Sequence, residues 1–413
     1  MSQGDQADGS VGAPLSVAML LHGTYPWDER VKREAEALVD AGHSVDVLCL
    51  SQHAAEPRRD ACHGVSVHRA KSSRSRSEGK VSYILEYLRS FVGAGTKLGL
   101  LNLRRRYDVI QVHTLPDFLV FAALPLKLGG ARIVLDIHDL MPELYASKYG
   151  LDADGRAVRT LRAIEGASVR VADHVLTASE AFRDRLVASG VPASKITLVL
   201  NSADSSVFPA PEHARVPGSS GRFTVFWHGT MVRRYGLDVA LRACALVRDR
   251  IPELRLSLYG DGEHAPELRA LSHDLGLDDV VAFNGFVPHT DLAPLIAEAD
   301  LGLVANLPDA HINMAYPTKL FEFVQMGVPV VATRTTILER RFGEDGLIFA
   351  EATEEDLARA ILWAYEHPEL ARDTVIRARE RCADMSWDRV RQEYVASVER
   401  TARASSTRQA AQR

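Results

Sequence analysis

The tripeptide His-Gly-Thr occurs twice, at His22-Gly23-Thr24 and His228-Gly229-Thr230, 206 residues apart in a chain of 413. Each copy follows a short apolar run, Val17-Ala18-Met19-Leu20-Leu21 in the first case and Phe223 to Trp227 in the second. Each precedes apolar residues at helical spacing: Val31, Ala35, Leu38 and Val39, then Leu237, Leu241, Cys244 and Val247. An unbroken apolar run suits a strand buried on both faces, as in parallel sheets. After the first helix, Gly42 supplies a stop and Val45-Asp46-Val47-Leu48-Cys49-Leu50 reads as the next strand, completing a strand–helix–strand unit. The same unit restarting half a chain later confines the fold to α/β, with two doubly wound parallel-sheet domains facing a cleft. The length agrees, because one hydrophobic core seldom serves 413 residues.

Further strand signals lie at 109–112, 133–135, 174–176 and 196–200 in the first half, and at 254–258, 280–283, 301–304 and 328–332 in the second. Between the halves, Pro209 to Gly221 (PAPEHARVPGSSG) reads as a linker. The expected first domain is 14–208 and the second 222–385, with disordered tails at 1–13 and 401–413.

Composition narrows the function. A net charge of -5 gives no pull toward nucleic acid, so no nucleic-acid partner is expected. Cys49, Cys62, Cys244 and Cys382 show no paired or metal-like spacing, which suits a reduced, cytoplasmic protein without a metal site. No apolar run approaches the twenty or so residues of a membrane span. Two basic segments, Arg69 to Lys80 and Arg104-Arg105-Arg106, read either as solvated surface or as peripheral contacts with an anionic membrane face carrying a lipid-linked acceptor.

Ligands of open parallel sheets bind beyond the carboxyl ends of the strands, which directs attention to four turns. At His228-Gly229-Thr230 the glycine admits close backbone approach, and Arg233 and Arg234 follow with charge suited to a diphosphate. At Pro317-Thr318-Lys319-Leu320-Phe321-Glu322 a proline and a threonine open a helix whose first amides favour an anion. Lys319 and Glu322 share a face there. The chain uses arginine far more than lysine, with 8 Lys against 41 Arg, and Lys319 is the only lysine after Lys195. A lone lysine in such a region points to a site wanting a compact charge. At Asp136-Ile137-His138-Asp139 a histidine and two acids close a strand. At Gly23-Thr24 through Asp28 a loop reads either as acceptor-side cover or as a helix cap made by Asp28.

Beyond these turns, Tyr107-Asp108-Val109-Ile110, Thr177-Ala178-Ser179-Glu180, Asn201-Ser202-Ala203-Asp204, Tyr259-Gly260-Asp261-Gly262 and Asn284-Gly285-Phe286-Val287 follow in order. With them the chain, from about Val17 to Arg400, resembles the retaining glycosyltransferases of family 4, which have the GT-B fold of two Rossmann-like domains around a central cleft. The Pro-Thr-Lys-x-x-Glu turn resembles a subgroup with a Pro-Ser-Lys-like donor turn. The resemblance implies transfer of a sugar from a UDP- or GDP-linked donor with retention, without metal or other cofactor, to an acceptor that the sequence leaves unknown. It implies that Glu322 binds the ribose, that the amides of Thr318, Lys319 and Leu320 meet the phosphates, that Phe286 and Val287 flank the base, and that Gly229 and Thr230 border the donor. It places His138 near the transferred sugar, Asp139 with the Gly23, Thr24 and Asp28 loop on the acceptor side, and a C-terminal helix over 386–400 crossing back to the first domain. Arg233, Arg234 and Lys319 would stabilise the departing diphosphate. The chain departs from the commoner pattern at Thr230 and Tyr235, where arginine and lysine are usual, and at Met314, where a sugar-contacting glutamate is usual.

Other readings fit less of this. A dinucleotide oxidoreductase would show GxGxxG after a strand, and neither Gly23 nor Gly229 starts one. A nucleotide-sugar epimerase or phosphorylase on a similar scaffold, or a degenerate sugar-nucleotide-binding subunit, remains as an alternative.

Overall fold

The computed structural model describes residues 13–53, 55–70, 80–219 and 221–410, without the side chains of 80–90 and 405–410. Fourteen strands form two sheets among these residues. The first sheet contains β1 (Ser16–Thr24), β2 (Ser44–Leu50), β3 (Arg59–Cys62), β4 (Val65–Ala70), β5 (Val109–His113), β6 (Arg132–Ile137), β7 (His174–Thr177) and β8 (Ile196–Leu198), in the order β3-β4-β2-β1-β5-β6-β7-β8. The second contains β9 (Phe223–His228), β10 (Leu254–Tyr259), β11 (Val281–Gly285), β12 (Leu301–Val304), β13 (Val330–Thr333) and β14 (Ile348–Ala350), in the order β11-β10-β9-β12-β13-β14.

The central apolar runs behave as their composition requires. Val17 of β1 sits opposite Val45 on one side and Val109 on the other, both parallel, and all three are fully buried or nearly so. The helix Glu29–Asp40 returns the chain from β1 to β2, its first turn capped by Asp28, whose carboxylate accepts from Val31 N at 3.1 Å. In the second sheet every pairing is parallel. Phe223, Val225 and Trp227 alternate with the other face along β9, and all pack in one core with the helix Leu237–Val247.

Contact density divides the chain into two compact units. One takes residues up to Ile137, Ile164–Leu176 and the chain from Tyr394; the other takes His138–Ala163 and Thr177–Glu393.

In the first unit a buried polar cluster replaces part of the apolar core. Arg30 donates to both Asp136 oxygens at 2.8 and 2.7 Å, His113 Nδ1 lies 3.0 Å from Asp136 Oδ2, and Gln111 donates to Glu34 at 2.7 Å. Each buried charge here has a partner, as burial demands. Asp136 therefore serves this cluster and is fully buried. The helix Trp387–Ala410 completes the cluster: the Tyr394 hydroxyl donates to Gln111 Oε1 at 2.8 Å, and His43 meets Glu399 at 3.3 Å.

Several sequence expectations change. The last helix continues beyond Arg400 to Ala410, because Thr401 is buried and its hydroxyl donates to Ser397 O at 2.7 Å. From the stretch read as a linker, Arg215 Nε and the Gly218 amide each donate to buried Asp300 at 3.0 Å. Arg69 leaves the basic surface proposed for membrane contact, since it is buried and paired with Asp60 at 2.9 Å. Arg105 pairs with Asp46 at 3.3 Å. Residues 71–79 of that segment, like the tails 1–12 and 411–413, lie outside the described residues. Among the described residues no helix is long and apolar enough to cross a membrane.

Candidate active site

The candidate site lies at the carboxyl ends of β9 and β10 in the second unit. Backbone approaches backbone there so closely that only glycine fits. A Cβ at Gly260 would stand 1.9 Å from Gly229 O, and one at Gly262 would stand 2.3 Å from Met231 O. Gly260 and Gly229 also hold φ of +128° and +132°, outside the range of ordinary side-chain-bearing residues. The Met231 amide donates to Asp261 O at 2.9 Å and its side chain is fully buried, so the loop is pinned before the short turn Arg233–Tyr235. Thr230 at its crest is exposed.

The helix Thr318–Gln325 brings Lys319 and Glu322 to this loop. Lys319 Nζ lies 4.1 Å from the Trp227 ring centre and 4.8 Å from that of Tyr235. A Cβ on Gly229 would come within 3.3 Å of it. The amine is buried, and burial pulls its pKa down to about 7 against the attraction of Glu322. Two aromatic faces are the contacts of this cation, which accounts for a tyrosine at position 235: its ring supports a charge delivered from another element.

Glu322, one turn on, is 1% exposed, with an imidazole close to each oxygen. His228 Nε2 lies 2.8 Å from Oε2, and His289 Nε2 lies 2.8 Å from Oε1. Burial alone would raise this carboxyl, but the two imidazoles outweigh it and hold the group ionised, well below the usual carboxylate range. Of the helix's first amides, that of Leu320 turns onto Pro317 O at 3.0 Å, which leaves those of Thr318 and Lys319 to face a ligand.

Arg234 stands beside the Tyr235 ring at 5.4 Å, and its buried Nη1 has no hydrogen-bond partner among the described residues. Asp139 meets His311 Nε2 at 3.1 Å; burial would raise its carboxyl, yet His311, His138 and Arg234 together lower it. His311 is held in turn by Asp309, which accepts from the amides of His311 and Ile312 at 2.8 Å each and from the Ser147 hydroxyl. Ser179 caps its own helix and donates to Met314 O at 2.7 Å, which fixes the backbone where the sugar-contacting glutamate is absent.

Arg233 is exposed and pairs with Glu267 at 3.4 Å. Phe286 is exposed and Val287 partly so, just beyond β11. Gly23, Thr24 and Asp28 belong to the first unit, where Thr24 pairs with Leu50 and Asp28 caps a helix. Sequence reasoning missed Trp227, His228, Tyr235, His289, Asp309 and His311. For His228 a signal existed, since it opens the repeated His-Gly-Thr turn, and for Tyr235 another, since it stands where lysine is usual; Trp227, His289, Asp309 and His311 carried none.

The site offers cations at Lys319 and Arg234, two helix-start amides and an ionised acceptor at Glu322, the equipment for holding a polyanion with attached hydroxyls. Residues 28–202 match the family described as glycosyl transferase 4-like domain, and residues 222–367 match glycosyl transferases group 1. The chain is 27% identical over 391 residues to D-inositol 3-phosphate glycosyltransferase of Pseudarthrobacter chlorophenolicus, covering 90% of each chain. It is 27% identical over 187 residues to the putative colanic acid biosynthesis glycosyltransferase WcaL of Escherichia coli, spanning 45% of each. Among solved structures, sucrose-phosphate synthase from Thermosynechococcus elongatus superposes with a TM-score of 0.74 at 20% identity, over 94% of this chain and 99% of that one. Anabaena HepE, solved in complex with UDP-glucose, gives 0.67 at 16% identity over 93% and 99%. At such identities the likeness speaks for the fold. Each half thus matches a glycosyl transferase domain family, and the chain is a glycosyltransferase with the GT-B fold.

Proposed function

We propose that this glycosyltransferase takes its sugar from a nucleotide diphosphate donor, UDP- or GDP-linked, and passes it with retention and without metal to an acceptor in glycan, glycolipid or glycosylated-metabolite synthesis. The observation that carries the reading is the Lys319 ammonium, buried against Trp227 and Tyr235 with no acidic hydrogen-bond partner among the described residues. A diphosphate supplies the acceptors this cation lacks. Arg234 Nη1 and the Thr318 and Lys319 amides add donors for the charge that grows as the glycosidic bond breaks. Glu322 accepts from the ribose hydroxyls, its charge kept by His228 and His289. Phe286 and Val287 flank the base, and His138 works near the transferred sugar. Support for a uridine donor comes from HepE, solved with UDP and with UDP-glucose on the same fold.

A calorimetric titration with UDP, GDP, UDP-glucose and GDP-mannose tests the assignment. Wild-type protein should bind one nucleotide series, and Lys319→Met and Glu322→Gln should each weaken it tenfold or more. Near-wild-type affinity in both variants would sink the donor site. His138→Ala should lower nucleotide release during turnover with little change in donor affinity.

A further inference from the structure

The helix Thr318–Gln325 has a second working face. At 100° per residue, Phe321 and Val324 point away from Lys319 and Glu322, and they line a separate cavity of about 230 Å³ with Ser202, Arg379, Cys382 and Met385. The helix Pro368–Cys382 carries four arginines. Three of them have carboxylate partners: Arg372 with Glu369 and Asp373, Arg377 with Asp345, and Arg381 with Asp345. Arg379 differs. Its Nη2 donates to Gln325 O at 3.1 Å, on the last turn of the Lys319 helix, and no acid pairs with it among the described residues. Burial pulls the pKa of its guanidinium below the ordinary value. The group nonetheless stays charged. Among the described residues lining the cavity there is no carboxylate: the Cys382 thiol is pushed up to about 12 by burial and remains neutral, and nearby Asp384 is taken by Arg341.

We propose that this cavity binds a small carboxylate with a short apolar tail, the carboxylate on Arg379 and the tail against Phe321, Val324 and Met385. A planar guanidinium with spare donors is matched to a carboxylate, and the apolar wall takes the carbon chain. Such a ligand would share Arg379 with the carbonyl end of the helix whose other face carries Lys319, so it is a site distinct from the donor pocket.

Butyrate is the probe, with butanol as its uncharged counterpart, titrated at fixed ionic strength into the full chain and followed by calorimetry and thermal shift. Wild-type protein should bind butyrate at least tenfold more tightly than butanol. Arg379→Met should remove that preference, and Ala203→Leu, which adds bulk to the cavity wall and keeps the arginine, should weaken butyrate at least tenfold. Lys319→Met should leave butyrate binding unchanged, which separates this site from the donor pocket. Equal affinity for butanol, unchanged butyrate binding in Ala203→Leu, or loss of butyrate binding in Lys319→Met would each overturn the proposal. Ala203→Leu carries the test alone if Arg379→Met does not fold.

Discussion

Replacing Lys319 with methionine should make the free protein more stable while making it a poorer binder of the donor. The lysine amine falls from 10.5 to about 7 in the folded chain, which at 1.36 kcal/mol per pH unit corresponds to about 5 kcal/mol of strain on the charged form. The Trp227 and Tyr235 faces return about 1 kcal/mol each. Methionine keeps the apolar stem against both rings and removes the charge, so a gain of about 2 kcal/mol is expected once relaxation is allowed for. The pH dependence has a definite sign. Because the folded value lies below the unfolded one, the unfolded chain binds more protons between pH 7 and 10.5, and wild-type stability rises with pH through that window. The methionine advantage should be full below pH 7 and vanish near 10.5. Urea titrations at several pH values, followed by tryptophan emission, read the stability; calorimetry with the cognate nucleotide reads the affinity. Loss of one charge-assisted contact should weaken binding by about ten- to a hundredfold. A variant that is less stable than wild type at pH 6, or equally tight for nucleotide, refutes the picture of an under-compensated cation awaiting a polyanion.

Glu322→Gln removes the anion that His228 and His289 share, and should destabilise by about 1–3 kcal/mol in urea titration, with the loss absent when His289 is also replaced by Phe. Gly260→Ala forces a Cβ into Gly229 O at a φ of +128°; it should reduce expression of folded protein or lower stability by about 3 kcal/mol or more, where Gly42→Ala, with open space at its Cβ, should cost about 1 kcal/mol. Asp139→Asn breaks the contact with His311 and should lower turnover more than nucleotide affinity. Since the folded Asp139 carboxyl lies below its unfolded value of 3.8, the stability it supplies is fully present at neutral pH and is lost only as pH falls below that value, so Asp139→Asn should cost stability near neutrality and the gap to wild type should close only in acid.

The sheet architecture was legible because it is local: each strand, turn and helix reads from neighbouring residues, and the His-Gly-Thr repeat announces the second sheet. Lys319 and Glu322 were legible for the same reason, being three residues apart on one helix. Their partners were not. Trp227 and His228 come from the end of β9 and His289 from beyond β11, and the second-sheet order β11-β10-β9-β12-β13, with no local periodicity behind it, brings them to one helix. The anchoring of the linker stretch was hidden for a related reason: nothing near its Pro, Gly and Ser reveals that Asp300 will hold Arg215. Arg69 likewise belonged by composition to a basic surface until strand alternation turned it inward onto Asp60.

The bond between Tyr394 and Gln111 joins residues 283 positions apart in the sequence. Gln111 lies in β5 at the heart of the first sheet, with no exposed surface. During synthesis, that strand and its neighbours leave the ribosome long before Tyr394 exists, at a rate of about 5–20 residues per second. For that interval Gln111 lacks its final partner, and the unit translated first closes only when the last helix arrives. The order of synthesis and the order of completion are thus reversed for this unit, and a chain halted before Trp387 would present an unfinished first core to the cell's chaperones.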